Sequence, residues 1–251
     1  MIDLITLINK ENRRFLKVWK QTLLPPIITI ILYLVIFWKF LWEQISLENG
    51  ISYIEFIFPG LLMMSVIMAS YANTSFSFFT SKMFNSIEEV LVSPLSSFKI
   101  LVWFCISWIL RWLIVWWLVF LVWMFMVDIQ IYSYFYFVIF LILTALLFSL
   151  AWLLNWIYAK SFDDVNIIPT FIITPLIYLW WVFYSISILS PFWQTVSQFN
   201  PVLYMVNWLR YAFLWISDIN IYYTLFLLVI FNVVLWAWVM YLLKKGMGIK
   251  V

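Results

Sequence analysis

Histidine is absent from this sequence, and cysteine occurs once, at Cys105. No disulfide within the chain is possible, and metal or acid–base chemistry built on imidazole is excluded. Cys105 lies in an apolar run and reads as a small core residue. Glycine is nearly as scarce, with only Gly50, Gly60, Gly246 and Gly248. None belongs to a G-x-x-x-x-G-K-[ST] stretch, so the chain does not cradle nucleotide phosphates in the P-loop manner. No nucleophile–base–acid constellation stands out, and no motif supports a Ser-Lys pair. We therefore expect no catalytic residue, no cofactor and no metal. Charge is also sparse, at 10% of residues against roughly 25% in soluble domains. Any work done on a substrate must draw on an ion gradient or on another chain.

What fills the sequence is apolar, 67% of 251 residues. Long uninterrupted runs place it in a bilayer. The fold class expected is all-α integral membrane. Six spans are predicted, at 23–42, 54–79, 100–127, 132–158, 167–186 and 221–243. Pro25-Pro26 suits a first helical turn, where the missing N–H costs nothing. Pro59, Pro169 and Pro175 fall inside spans and should kink or break them.

Residues 1–22, MIDLITLINKENRRFLKVWKQT, lack the layout of a signal peptide. They read as an amphipathic helix on the membrane surface. Ile5, Ile8, Phe15, Leu16 and Trp19 share one side, and Arg13, Arg14, Lys17 and Lys20 the other. With this end in the cytoplasm, Lys10, Arg13, Arg14, Lys17, Lys20, Lys82, Lys99, Lys160, Lys244, Lys245 and Lys250 are all inside. That is 11 of the 14 Lys and Arg, as the positive-inside rule requires. Lys39 and Arg210 fall outside. Both termini are then cytoplasmic, and residues 81–99 form a cytoplasmic loop. Residues 187–220 read as two short helices at or dipping into the outer interface, broken at Asn200-Pro201. The other reading is a seventh span, which would put the C-terminal lysines outside.

Arg111 is the deepest charge, about 18 Å past Lys99 at helical rise. Insertion there costs at least ~2.5 kcal/mol. It is either a structural Arg paired locally or part of a pathway. Glu55 sits near the outer start of the second span. An ion-coupled carrier would need more intramembrane acids than this.

The stretch FPGLLMMSVIMASYANTSFSFFTSKMFNSIEEVLVSPLS, Phe58 to Ser96, resembles the signature region of bacterial ABC-2 type permeases, in the nodulation-factor-exporter-like branch. NWIYAKSFDDVNIIPTFIITPLIYL and VFYSISILSPFWQTVSQFNPVLYMVNWLRYAF continue the likeness along nearly the whole chain. The resemblance implies a bacterial inner-membrane half-transporter that acts as a homodimer, with two copies of a separate ABC ATPase subunit below. The loop at 81–99 would be its coupling loop. Residues 81–92 form a short helix with Phe84, Ile87, Glu88 and Glu89 offered to the ATPase, and Ser93-Pro94 ends it. The N-terminal helix would be the elbow helix beside the ATPase. Lys160, Asp163 and Asp164 would make a smaller contact, with Asp163 or Asp164 also placed to cap the fifth span. Substrates implied are a small molecule or a glycolipid or polysaccharide, and no nucleic-acid partner is expected. The reading from another class is a non-transporting membrane scaffold or assembly factor.

The chain departs from that family in having 18 Trp beside its 4 Gly. Trp38 and Trp42 are four apart, as are Trp108, Trp112 and Trp116, and Trp152 and Trp156. Four is the interval at which small residues let helix backbones approach. In the family resembled, glycine is common at several of these places, and Trp180-Trp181 falls where it often reads Gly-Gly. The pattern reads as a systematic Gly-to-Trp replacement, by engineering or by decoding. The other reading is a natural chain with a tryptophan-lined interior.

Overall fold

The computed structural model describes residues 2–17, 19–41, 55–64, 67, 96–124, 131–159, 161–178 and 189–245. Among them every regular element is a helix. In chain order these are α1 (Ile2–Lys17), α2 (Trp19–Leu41), α3 (Glu55–Met64), α4 (Ser97–Met124), α5 (Tyr134–Tyr158), α6 (Phe162–Ile168), a π-helical turn (Pro169–Ile173), α7 (Thr174–Tyr178), α8 (Pro191–Ser197), α9 (Pro201–Leu214) and α10 (Ile221–Lys245).

Three described helices are long and apolar enough to cross a membrane: α4 over Ser97–Val122, α5 and α10. They match the expected spans at 100–127, 132–158 and 221–243 within five residues at each end. α5 is the central one, packing against α4, α9 and α10. On α4, Leu101, Cys105, Trp108, Trp112, Val115 and Val119 are buried. Their spacing alternates four and three, so they form one inward seam. Ile106, Leu110, Ile114 and Trp117 face outward. α10 buries a narrow stripe, Ile221, Thr224, Leu228, Asn232, Val239, Leu242 and Leu243.

Edge-on and tilted aromatic contacts tie the elements together. Trp116 of α4 lies 4.9 Å from Phe137 of α5. Phe137 meets Phe213 of α9 at 5.5 Å, and Phe213 meets Phe58 of α3 at 5.6 Å. At the far end Phe98 touches Trp236 and Tyr158 touches Trp238. Those pairs put Lys99, which opens α4, and Lys244-Lys245, which close α10, at one end of the bundle.

Two expectations about prolines and caps change. α2 begins at Trp19, so Pro25-Pro26 fall in its second turn rather than its first. The carbonyls of Gln21 and Thr22 lose their helical donors there, which costs least at the polar end of the helix. The helix expected from residue 167 starts earlier, at Phe162. Ser161 is the N-cap of α6, and its hydroxyl accepts from the Asp164 N–H while the Asp164 carboxylate accepts from the Ser161 N–H. This capping box makes Asp164 the N3 partner of a Ser cap.

Pro169 then opens the π-helical turn. A proline there removes the N–H that would serve the carbonyl of Val165, four residues back. The buried Asn155 of α5 supplies the missing donor, its Nδ2 lying 2.9 Å from Val165 O. The break in the helix is thus matched by one amide from its neighbour. Replacing Asn155 with Leu removes that donor and should cost about 1–3 kcal/mol. Adding Pro169→Ala restores a backbone donor and should recover a large part of the loss. Thermal unfolding of the two variants in detergent checks both.

Candidate functional site

Four of the five candidate site residues, Phe84, Ile87, Glu88 and Glu89, lie outside the described residues. The fifth, Arg111, is described. It is buried in the middle of α4, 4% exposed. Its guanidinium carbon stands 5.2 Å from the ring centre of Phe15 on α1. Phe15 is itself buried. A cation over an aromatic face is worth about 2 kcal/mol when desolvated. The contact joins the N-terminal helix to α4, which pack along each other. Sequence reasoning treated α1 and Arg111 separately; the structure brings them together.

A second buried cation is Arg210, which the charge count puts on the outer side and whose side chain the structure encloses. Arg210 of α9 is 2% exposed. Its Nε donates to the carbonyl of Phe56 at 3.3 Å, and its guanidinium carbon lies 3.8 Å from the Phe56 ring centre. Its Nη1 is 3.7 Å from Asp218 Oδ2. One residue thus joins α3, α9 and the segment before α10. Asn207, one turn earlier, completes the junction. Its Oδ1 accepts from the Asp218 N–H at 2.8 Å, and its Nδ2 donates to Ile219 O at 3.0 Å and to Ser217 Oγ at 3.1 Å. Glu55, the first residue of α3, is partly buried nearby in sequence, where a carboxylate suits the helix dipole. The sequence carried a signal for this junction: a lone Arg, Asn and Asp within twelve residues of otherwise apolar chain.

The two helices expected between 187 and 220 are present as α8 and α9, broken at Asn200-Pro201. Asn200 caps α9, its Oδ1 accepting from Val202 N at 2.9 Å, while its Nδ2 reaches Leu176 O of α7 at 3.2 Å. α9 is buried along most of its length. Trp208 anchors it to α5 through Nε1 to Tyr136 O at 2.7 Å.

α9 ends on Trp215, whose φ of 58° and ψ of 20° are left-handed. That conformation at a helix end is the glycine position of an αL cap. A residue with a Cβ bears about 1–2 kcal/mol of strain there. Stacking offsets it: the Trp215 ring lies 4.3 Å from Tyr211 and 4.3 Å from Tyr132.

The other tryptophans divide clearly. Trp108, Trp112 and Trp116 of α4 and Trp152 and Trp156 of α5 are buried, so none of these anchors at the membrane boundary. The indole N–H groups of Trp112 and Trp116 meet no acceptor among the described residues. Trp42, Trp180 and Trp181 lie outside the described residues, as does the side chain of Trp38.

Among the described residues no three His, Cys, Asp or Glu side chains come together. The arrangement is a helical membrane body, bracketed by two buried arginines. The sequence pattern of the ABC-2 type transporter family matches residues 3–214. The chain belongs to the ABC-2 type transporter family. It is also 44% identical over 241 residues to the inner membrane transport permease YadH of Escherichia coli strain K12, covering 96% of this chain and 94% of that protein. The protein of that name from Shigella flexneri matches to the same extent.

The left-handed cap gives a clean comparison within this family member. Trp215→Gly and Trp215→Ala both remove the ring stack, but only alanine keeps the αL strain. The glycine variant should therefore be the more stable of the two by about 1 kcal/mol. Matched unfolding midpoints in one detergent measure the difference.

Proposed function

We propose that this chain is the transmembrane permease subunit of an ATP-driven exporter of the bacterial inner membrane. Its membership of the ABC-2 type transporter family carries the reading. The relative at 44% identity named as an inner membrane transport permease supports the location. The missing P-loop supports the division of labour: ATP is hydrolysed in a separate ABC ATPase subunit, and this chain forms the translocation path.

The working unit proposed is a homodimer with two ATPase copies, and six spans per chain with both termini cytoplasmic. Lys99, Lys244 and Lys245 at one end of the bundle agree with that topology. The coupling segment is 81–99. Phe84 and Ile87 provide apolar contact with the ATPase surface, and Glu88 and Glu89 provide charge for basic groups there. ATP binding draws the two ATPases together, and this segment carries the displacement into the spans. Arg111, under Phe15, serves as the seam between α1 and α4 rather than as a lining of the path. The substrate class proposed is a small molecule or a glycolipid or polysaccharide.

The experiment is affinity purification in mild detergent with mass spectrometry of the captured chains. A stoichiometric ABC ATPase should accompany the wild type. Glu88→Lys with Glu89→Lys should lose it, together with stimulated ATP hydrolysis. A folded protein that captures no ATPase would favour a scaffold. Restoring glycine at Trp108, Trp112, Trp152 and Trp156 then tells whether tight helix packing is what assembly requires.

A further inference from the structure

α1 and the start of α2 have two unlike sides. Phe15 and Leu23 are buried against the helical body. On the other side Arg13, Leu16, Lys17, Trp19 and Lys20 are all exposed, Leu16 by 55% and Trp19 by 45%, so Leu16 and Trp19 lie with the cations and not, as expected from the sequence, with Phe15. The Lys20 ammonium stands 6.0 Å from the Trp19 ring centre. No Asp or Glu occurs between Asn12 and Trp42, so no acid in this stretch neutralises these cations.

The patch does not end at Lys20. Leu24, Ile28, Leu32, Val35 and Ile36 continue outward along α2, all exposed and spaced as one helical face. This face is wholly apolar. It borders the basic residues directly. Exposed cations next to exposed Leu and Trp, running into an apolar stripe, match one kind of surface. It has an acyl interior and an anionic rim.

We infer that Arg13, Lys17 and Lys20 form a docking site for the headgroups of anionic phospholipids. Leu16 and Trp19 seat at the acyl boundary beside them. The site uses none of the residues assigned to the coupling segment and does not depend on the identity of any ATPase.

The full-length chain is purified in detergent and exchanged into mixed micelles holding equal amounts of phosphatidylglycerol and phosphatidylcholine. Retained lipids are counted by native mass spectrometry. Phosphatidylglycerol should be retained in clear excess, and each cation removed should lower that excess by about fivefold. Arg13→Gln, Lys17→Gln and Lys20→Gln together should abolish the preference. Arg13→Lys, Lys17→Arg and Lys20→Arg together should keep it. If the triple neutral variant does not elute as one species, Lys20→Gln alone and a tenfold rise in salt on the wild type give the same reading. Equal retention of the two lipids by the wild type would overturn the proposal. So would an unchanged preference in the neutral variants, or displacement of phosphatidylglycerol by inorganic phosphate. Retained lipid preference with loss of ATPase capture would assign the patch to a protein partner instead.

Discussion

A backbone carbonyl or amide inside a bilayer has no water to turn to, and each one left over costs several kcal/mol. Much of this structure follows from that constraint. Regular helix satisfies most groups. Where the helix is interrupted, a buried asparagine stands ready. Asn155 serves the carbonyl of Val165 that Pro169 strands. Asn200 reaches from the cap of α9 to the carbonyl of Leu176. Asn232 of α10 donates to Leu143 of α5 and also to Leu228 in its own helix. Each amide joins two elements, so the groups that repair the backbone also hold the helices together. The prolines and asparagines form one system, in which the breaks are tolerated because the donors are placed.

Charge obeys the same economy. Arg111 and Arg210 are both buried, and both lie over a phenylalanine, Phe15 and Phe56. A guanidinium is weakly hydrated for a cation and stacks on aromatic faces, which suits it to such positions. The surroundings then differ. Arg210 adds a carbonyl and the carboxylate of Asp218, a polar junction that binds three segments. Arg111 holds a single long helix to the N-terminal one. Removing either ring would leave a cation short of its support, so Phe15 and Phe56 matter beyond their apolar area.

The sequence made the long, strongly apolar helices legible, because hydropathy over twenty residues leaves few alternatives. α4, α5 and α10 needed little more than counting. The break at Asn200-Pro201 was legible from turn chemistry. Local start signals were read less well. Pro25-Pro26 suggested a first turn, yet Trp19, Lys20 and Gln21 are helix formers good enough to begin α2 earlier. Asp163 and Asp164 suggest a cap by charge, yet a Ser with an acid three residues on, as at Ser161 and Asp164, is the fuller capping signal. The burial of Arg210 was out of reach of charge counting, which sorts residues by side of the membrane and says nothing of enclosure. Its partner Asp218 is eight residues away, and Phe56 is far off in the chain, so only tertiary packing brings them together.

The tryptophans bear on movement as well as on packing. Trp116 stacks on Phe120 at 4.9 Å and meets Phe137 of α5 at the same distance. Through Phe137, Phe213 and Phe58 the contacts run on to α9 and α3. A seam of small residues lets helices slide, since little interlocks. A seam of planar rings does not, because any shift must lift one ring out of contact with several others. Each aromatic pair is worth about 0.5–1.5 kcal/mol beyond its area, and the pairs here share members. Such a network favours one arrangement of α4, α5, α9 and α3 over its alternatives. A transporter needs two arrangements within a few kcal/mol of each other. The same rings that make this body well packed therefore narrow the range of motion open to it, and small residues at Trp112 and Trp116 would widen that range while removing two indole N–H groups that find no acceptor among the described residues.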